Sequence, residues 1–323
     1  MALFGNVTKD IKGNLQFLGQ CTFTQGLIGF SNGGTVYYVD SSRSASGKGD
    51  RWDTAFITIA EAVAQSLADG GHHDTILVAG TENEESSGTL TSDYEESVTI
   101  AASQVGLRII GMGNSPEGIA WTVGTAEGDI LTVNARDCYV SGFRFRPNGA
   151  TSGTAIKLAT AADMSTNPMG FTVENCIFRS TTETALAGIS INGTNDVTIK
   201  NCKFTSVATG ILSVSPGHSV QYRTQILDCF FDDKCTNAID IDARSGLIQG
   251  NVISPGLTIA IRTNKHSVGK ENTVFGNMIS VTAYETQCSG YSTDMWYGNF
   301  CNDTGNTYVD TTTGLTIGYP NGA

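Results

Sequence analysis

Phe171-Thr-Val-Glu-Asn-Cys-Ile-Phe178 returns as Val197-Thr-Ile-Lys-Asn-Cys-Lys-Phe204 and again as Gln225-Ile-Leu-Asp-Cys-Phe-Phe231. The phrase continues as Leu247-Ile-Gln-Gly-Asn-Val-Ile253, Val274-Phe-Gly-Asn-Met-Ile279 and Met295-Trp-Tyr-Gly-Asn-Phe-Cys301. The last residues of successive units stand 26, 27, 22, 26 and 22 residues apart. A unit of that length is short for a helical pair and rich in β-branched and aromatic residues, so it predicts a solenoid of strands.

A second column runs between the units: Ala155-Ile156, Gly188-Ile189, Gly210-Ile211, Ala238-Ile239 and Ala260-Ile261. Two strand phrases per coil, separated by turn residues, predict that each strand pairs in parallel with its counterpart one coil away. The fold class expected is all-β, a single-stranded parallel β-helix. Within a strand the side-chain period is two, which puts Cys176 and Phe178 on one face and Ile239 and Ile241 on another. Cys176, Cys202 and Cys229 share a column that Asn251, Asn277 and Asn299 occupy later, which predicts a buried ladder with amides hydrogen-bonding along the axis. No C-x-x-C and no His beside a Cys points to a metal.

Composition agrees with many turns and much strand: 38 Gly, 6 Pro and 15% charged residues in 323. A solenoid escapes the usual domain-size rule, because each coil contacts only its neighbours. Nothing approaches 18 consecutive apolar residues, and Met1-Ala-Leu-Phe-Gly-Asn-Val-Thr-Lys-Asp10 lacks a basic region followed by an apolar run. The reading is therefore of no membrane insertion and no export signal. Eight cysteines in such a chain predict free thiols in a reducing cytoplasm. A net charge of -12 without a basic cluster excludes a nucleic-acid partner.

Four parts are expected along the chain: an N-terminal arm over 1–34, a strand and capping helix over 35–97, the parallel β-helix over 98–301, and a closing or subunit-contact segment over 302–323. The arm reads equally as an attachment segment and as a capping strand. Phe56, Ile59, Ala60, Val63 and Leu67 fall at helical spacing, with Asp53 or Thr54 as cap and Gly70-Gly71 as stop. A helix there would protect the open apolar end of the solenoid. Residues 82–96 carry six acidic side chains, which reads as a solvated loop or as oxygens for calcium, the only cofactor the sequence suggests.

The order Thr35-Val-Tyr-Tyr-Val-Asp40, Trp52-Asp-Thr-Ala-Phe-Ile-Thr-Ile-Ala-Glu-Ala62, Asp74-Thr-Ile-Leu-Val-Ala-Gly80, then coils with Asn-Cys-x-Phe and Gly-Ile-x-Ile, resembles the pectate-lyase-like right-handed parallel β-helix superfamily. In particular it is similar to members carried by bacteriophages: tailspikes, tail fibres and capsid-attached spikes. The resemblance implies a virion protein, a homotrimer bound to other virion proteins, and contact with host-surface polysaccharide. It also implies a search for lyase or hydrolase chemistry. Asp232-Asp233, Gly217-His218-Ser219 and Arg262-Thr-Asn-Lys265 echo a polygalacturonase set, in the wrong order and incomplete.

The strongest carboxylate constellation is Asn237-Ala-Ile-Asp240-Ile-Asp242-Ala-Arg244. With Ile239 and Ile241 inward, Asp240 and Asp242 point outward about 6.6 Å apart, the rise of two strand residues. That is the lower edge of the spacing for an inverting glycosidase pair. Candidate catalytic residues are thus Asp240, Asp242, Arg244, Asp232 and Asp233; the alternative is a solvated acidic strand face. His72, His73, His218 and His266 read as loop histidines, and Tyr284, Tyr291, Trp296 and Tyr297 as exposed aromatics that stack on sugars or seal an interface.

Overall fold

The computed structural model describes residues 34–303 apart from 81–93, 114–118, 124–127, 148–152, 160–167, 181–185, 214–220, 255–257, 266–270, 282–286 and 291–292. The arm up to residue 33, the final segment from residue 304, His218, His266, Tyr284, Tyr291 and all but the end of the acidic stretch lie outside these residues.

The described strands form three parallel sheets of ten, eight and nine strands running the length of the solenoid, plus one side pair. Each full coil contributes one short strand to each long sheet. The phrase read as a single strand is thus two strands meeting at a corner: Thr172–Glu174 belongs to the ten-stranded sheet and Ile177–Arg179 to the nine-stranded one. The corner residue is left-handed. Gly142, Asn175, Asn201, Asp228, Gly250, Gly276 and Gly298 make this column, with φ from 50° to 80°. Gly, Asn and Asp are the residues that enter this region at least cost, which is why the phrase carries Asn-Cys early and Gly-Asn late. A second left-handed column, including Asp137, Gly170, Asp196 and Arg223, begins the same strands.

Between the corners the period of two does the packing. In the ten-stranded sheet Val173 pairs with Ile199, then Ile226, Ile248 and Val274, all buried. In the nine-stranded sheet Phe145, Phe178, Phe204 and Phe231 stack at ring-centroid distances of 5.4, 4.7 and 4.7 Å. The third file is Ile156, Ile189, Ile211, Ile239 and Ile261, in register as the Gly/Ala-Ile column predicts. At Gly210 a Cβ would come within 2.6 Å of the Phe231 ring, so the small residue makes room for the aromatic file. These three files form one continuous core of offset aliphatic and aromatic contacts.

The helix spans Ile59–Ala68, and its cap is Thr58 rather than Asp53 or Thr54. Thr58 and Glu61 form a reciprocal capping box, while Trp52–Thr54 makes a separate short 3-10 turn. Ile59, Ala62 and Val63 are buried against the first strands, Val36–Asp40, Thr75–Ala79 and Val98–Ile100. Gly70 and Gly71, both at positive φ, end the helix. Glu96 clamps its start, accepting from the amides of Ile59 at 2.7 Å and Ala60 at 2.9 Å. Burial pushes the Glu96 carboxyl above its ordinary range despite those bonds. The ten-stranded sheet opens with Val36–Asp40 paired to Thr75–Ala79, so the stacking begins at the helix-bearing end.

Candidate functional site

Asp240 ends the strand Asn237–Asp240 of the eight-stranded sheet. Its coil neighbours in register are Leu212 on one side and Arg262 on the other. The expected solvated face is absent at this position: Asp240 is 3% and Asp242 2% exposed. Burial of a carboxylate demands a counter-charge, and the next coil supplies it. Arg262 Nε donates to Asp240 Oδ1 at 2.5 Å, and Lys265 Nζ stands 3.4 Å from Asp240 Oδ2. Lys265 also donates to the Ser213 carbonyl at 2.7 Å, tying three coils together. The hydrogen bond to Asp240 raises the Arg262 pKa above its ordinary value, with the charges of Asp240 and Asp242 adding to it.

Asp242 lies where the chain leaves the sheet. Its amide donates to Ser213 Oγ at 3.0 Å, and Ser213 Oγ donates to Gln221 Oε1 at 2.8 Å. The side pair Gln221–Tyr222 and Ala243–Arg244 follows at once. Arg244 lies 5.6 Å from the Tyr222 ring centroid and 3.6 Å from Glu271. Its partners are thus Tyr222 and Glu271, whereas the cations on Asp240 are Arg262 and Lys265.

Asp232 and Asp233 sit elsewhere, at the end of the nine-stranded sheet's strand Phe230–Phe231. The Thr205 hydroxyl donates to Asp232 Oδ2, and the Lys234 amide to Asp232 Oδ1 at 3.1 Å, which closes a turn. Asp233 is exposed. The five candidates thus fall into three settings: a buried ion cluster, a stacked cation and a turn. The sequence reading noted Arg262 and Lys265 but did not place them on Asp240. The signal was available in the 22-residue step from Asp240 to Arg262, which matches a coil length.

His72 and His73 are exposed, as expected of turn residues. Trp296 is buried, because alternation in Met295-Trp296-Tyr297 turns it onto the inner file beside Val274. Among the described residues no three His, Cys, Asp or Glu side chains group to hold a metal ion. No described helix is long and apolar enough to cross a membrane.

Coils of three parallel strands around one apolar core define a parallel β-helix. Residues 128–308 match the family model "Right handed beta helix region", more than half of the chain, and the protein belongs to that family. No curated protein matches the sequence. Among solved structures, pectate lyase Pel9A is similar over 84% of this chain and 77% of its own, at 12% identity and a TM-score of 0.44. Pectin methylesterase from carrot is similar over 90% of each chain, at 10% identity and a TM-score of 0.40. The rice weevil pectin methyl esterase covers 81% of this chain and 90% of its own, at 12% identity and a TM-score of 0.40. No activity follows from these likenesses.

Proposed function

We propose that the protein is a structural or adhesive component of a phage virion: a rigid β-helical spike or decoration subunit on capsid or tail. It is made in the host cytoplasm, docks on other virion proteins and holds host-surface glycans without cutting them. One observation carries the non-catalytic half of this reading. Asp240, the best acid in the sequence, has both carboxylate oxygens facing cations, at 2.5 and 3.4 Å, inside a closed cluster. A general acid or base needs a free approach to its substrate. The phage setting is supported by the sequence resemblance.

The second reading is a polysaccharide hydrolase or lyase, and the exposed Asp233 beside Asp232 favours it. The test incubates the purified protein with capsule, lipopolysaccharide and polyuronate preparations and follows new reducing ends and unsaturated uronates. No product, together with retention on one of these glycans, is the expected result. Product formation that is lost in Asp232→Asn/Asp233→Asn overturns the proposal.

A further inference from the structure

The outer surface changes character at one end of the solenoid. On the last four rungs of the ten-stranded sheet the outward residues are Gln225 and Leu227, Leu247 and Gln249, Thr273 and Phe275, Met295 and Tyr297. On the matching rungs of the nine-stranded sheet they are Phe230, Val252, Met278 and Phe300. None of these twelve positions carries a charge. Earlier rungs of the same files carry Glu174, Lys200 and Lys203. The two faces meet along the corner column, where the first of the four rungs carries the exposed Asp228 and the next three, Gly250, Gly276 and Gly298, add no side chain. Phe275 and Tyr297 stack there at 4.7 Å.

Large apolar side chains exposed among the described residues concentrate here. Phe230, Val252, Met278, Met295, Tyr297 and Phe300 are each between 36% and 56% exposed, while Trp52, Leu67 and Met112 are scattered elsewhere. At about 200 Å² for a large side chain the six present on the order of 550 Å² of apolar surface. That is the upper end of what a lone protein leaves in water. It is also of the size of the apolar share of a standard interface, about 480 Å² at roughly 60% of about 800 Å² per partner.

We infer that this panel is the surface through which copies of the chain associate side by side, with their solenoid axes parallel. Two features single out a second copy as the occupant. The panel is periodic, one knob per rung at about 4.8 Å, and a parallel copy carries the same period, so side chains interdigitate rung by rung. The chain carries a net charge of -12, so copies repel over most of their surface, and the panel, whose last three rungs carry no charge on either face or at the corner, is where they meet at least cost. Its two faces, joined at a corner, suit a closed ring in which each face meets a different neighbour, and three copies is the smallest such ring. This deepens the spike reading by naming the contact face, and its test is independent of glycan binding.

The test is light scattering on the full chain at micromolar concentration, beside Met278→Asp/Phe300→Asp and a control, Thr99→Asp, on the outer face of the eight-stranded sheet. The wild type and control scatter as a multiple of the chain mass. The double variant falls to the single-chain mass with its strand circular dichroism unchanged. A wild type at the single-chain mass overturns the inference, and so does assembly that survives the double substitution. If the double variant loses its strand signal, Gln249→Lys/Thr273→Lys, two polar positions within the panel, is read in its place.

Discussion

Asn251 Nδ2 donates to Asn277 Oδ1 at 2.9 Å, and Asn277 Nδ2 donates in turn to Asn299 Oδ1 at 2.8 Å. Each amide also donates to a carbonyl on the preceding coil, Ile226 for Asn251 and Ile248 for Asn277, both at 3.0 Å. The amide of Asn251 donates to Asn277 Oδ1 as well. Every polar atom of Asn277 is thus committed inside the core, at the corner between two sheets. Asn277→Ala strands the Ile248 carbonyl and the amides of Asn251, and is expected to cost about 3 kcal/mol. Urea unfolding midpoints measure it, and a loss below about 1 kcal/mol would show that the ladder adds little.

The Asp240 cluster predicts a double-mutant cycle. Asp240→Ala leaves Lys265 and the half-buried Arg262 without their counter-charge, at a cost of about 2–3 kcal/mol after allowing for solvent at Arg262. Adding Arg262→Ala to that variant costs less than it does in the wild type, because the charge it removes is already unpaired. Additive losses would mean that the pair does not interact.

The thiols give the pH dependence. Burial pushes Cys138, Cys176 and Cys235 up to about 12 from an ordinary value of 9.0. A thiol whose folded pKa lies above its unfolded one keeps its full contribution below pH 9 and loses it as the pH climbs toward 12. Stability should therefore fall between pH 9 and 12, and site-resolved alkylation at pH 8 should spare these three until the chain unfolds. Rapid modification of Cys176 in the folded protein would contradict the packing.

The helix cap predicts a smaller effect. Thr58→Ala removes the acceptor for the Glu61 amide and should lower stability by about 1 kcal/mol without changing the coils. Hydrogen exchange at Glu61 would rise while that of Val173 and Ile199 stays slow.

The strands, their parallel stacking and the inner files were legible because burial repeats every second residue and every coil. Phe178, Phe204 and Ile239 announce themselves this way. The corners were not, because one left-handed residue such as Asn175 leaves no hydrophobic signature, and so three strands per coil read as two. The Asp240 setting was half legible. Alternation put Asp240 outward correctly, yet outward proved to be covered, since burial there depends on Arg262 and Lys265 arriving from the next coil. Helix onset slipped by one turn because the reading weighed Asp53 and Thr54 and passed over Thr58-Ile-Ala-Glu61.

The central claim, that neighbouring coils stack in parallel and in register, is tested most directly by a cross-coil disulfide. Thr198 and Gln225 face each other on the outer side of the ten-stranded sheet, and in-register Cα atoms about 5 Å apart fit a disulfide. Thr198→Cys/Gln225→Cys should oxidise to one intramolecular bridge, seen by mass spectrometry of the digested protein, while Thr198→Cys/Leu227→Cys, two residues out of register, should not. A bridge in the second variant and none in the first would contradict the stacking.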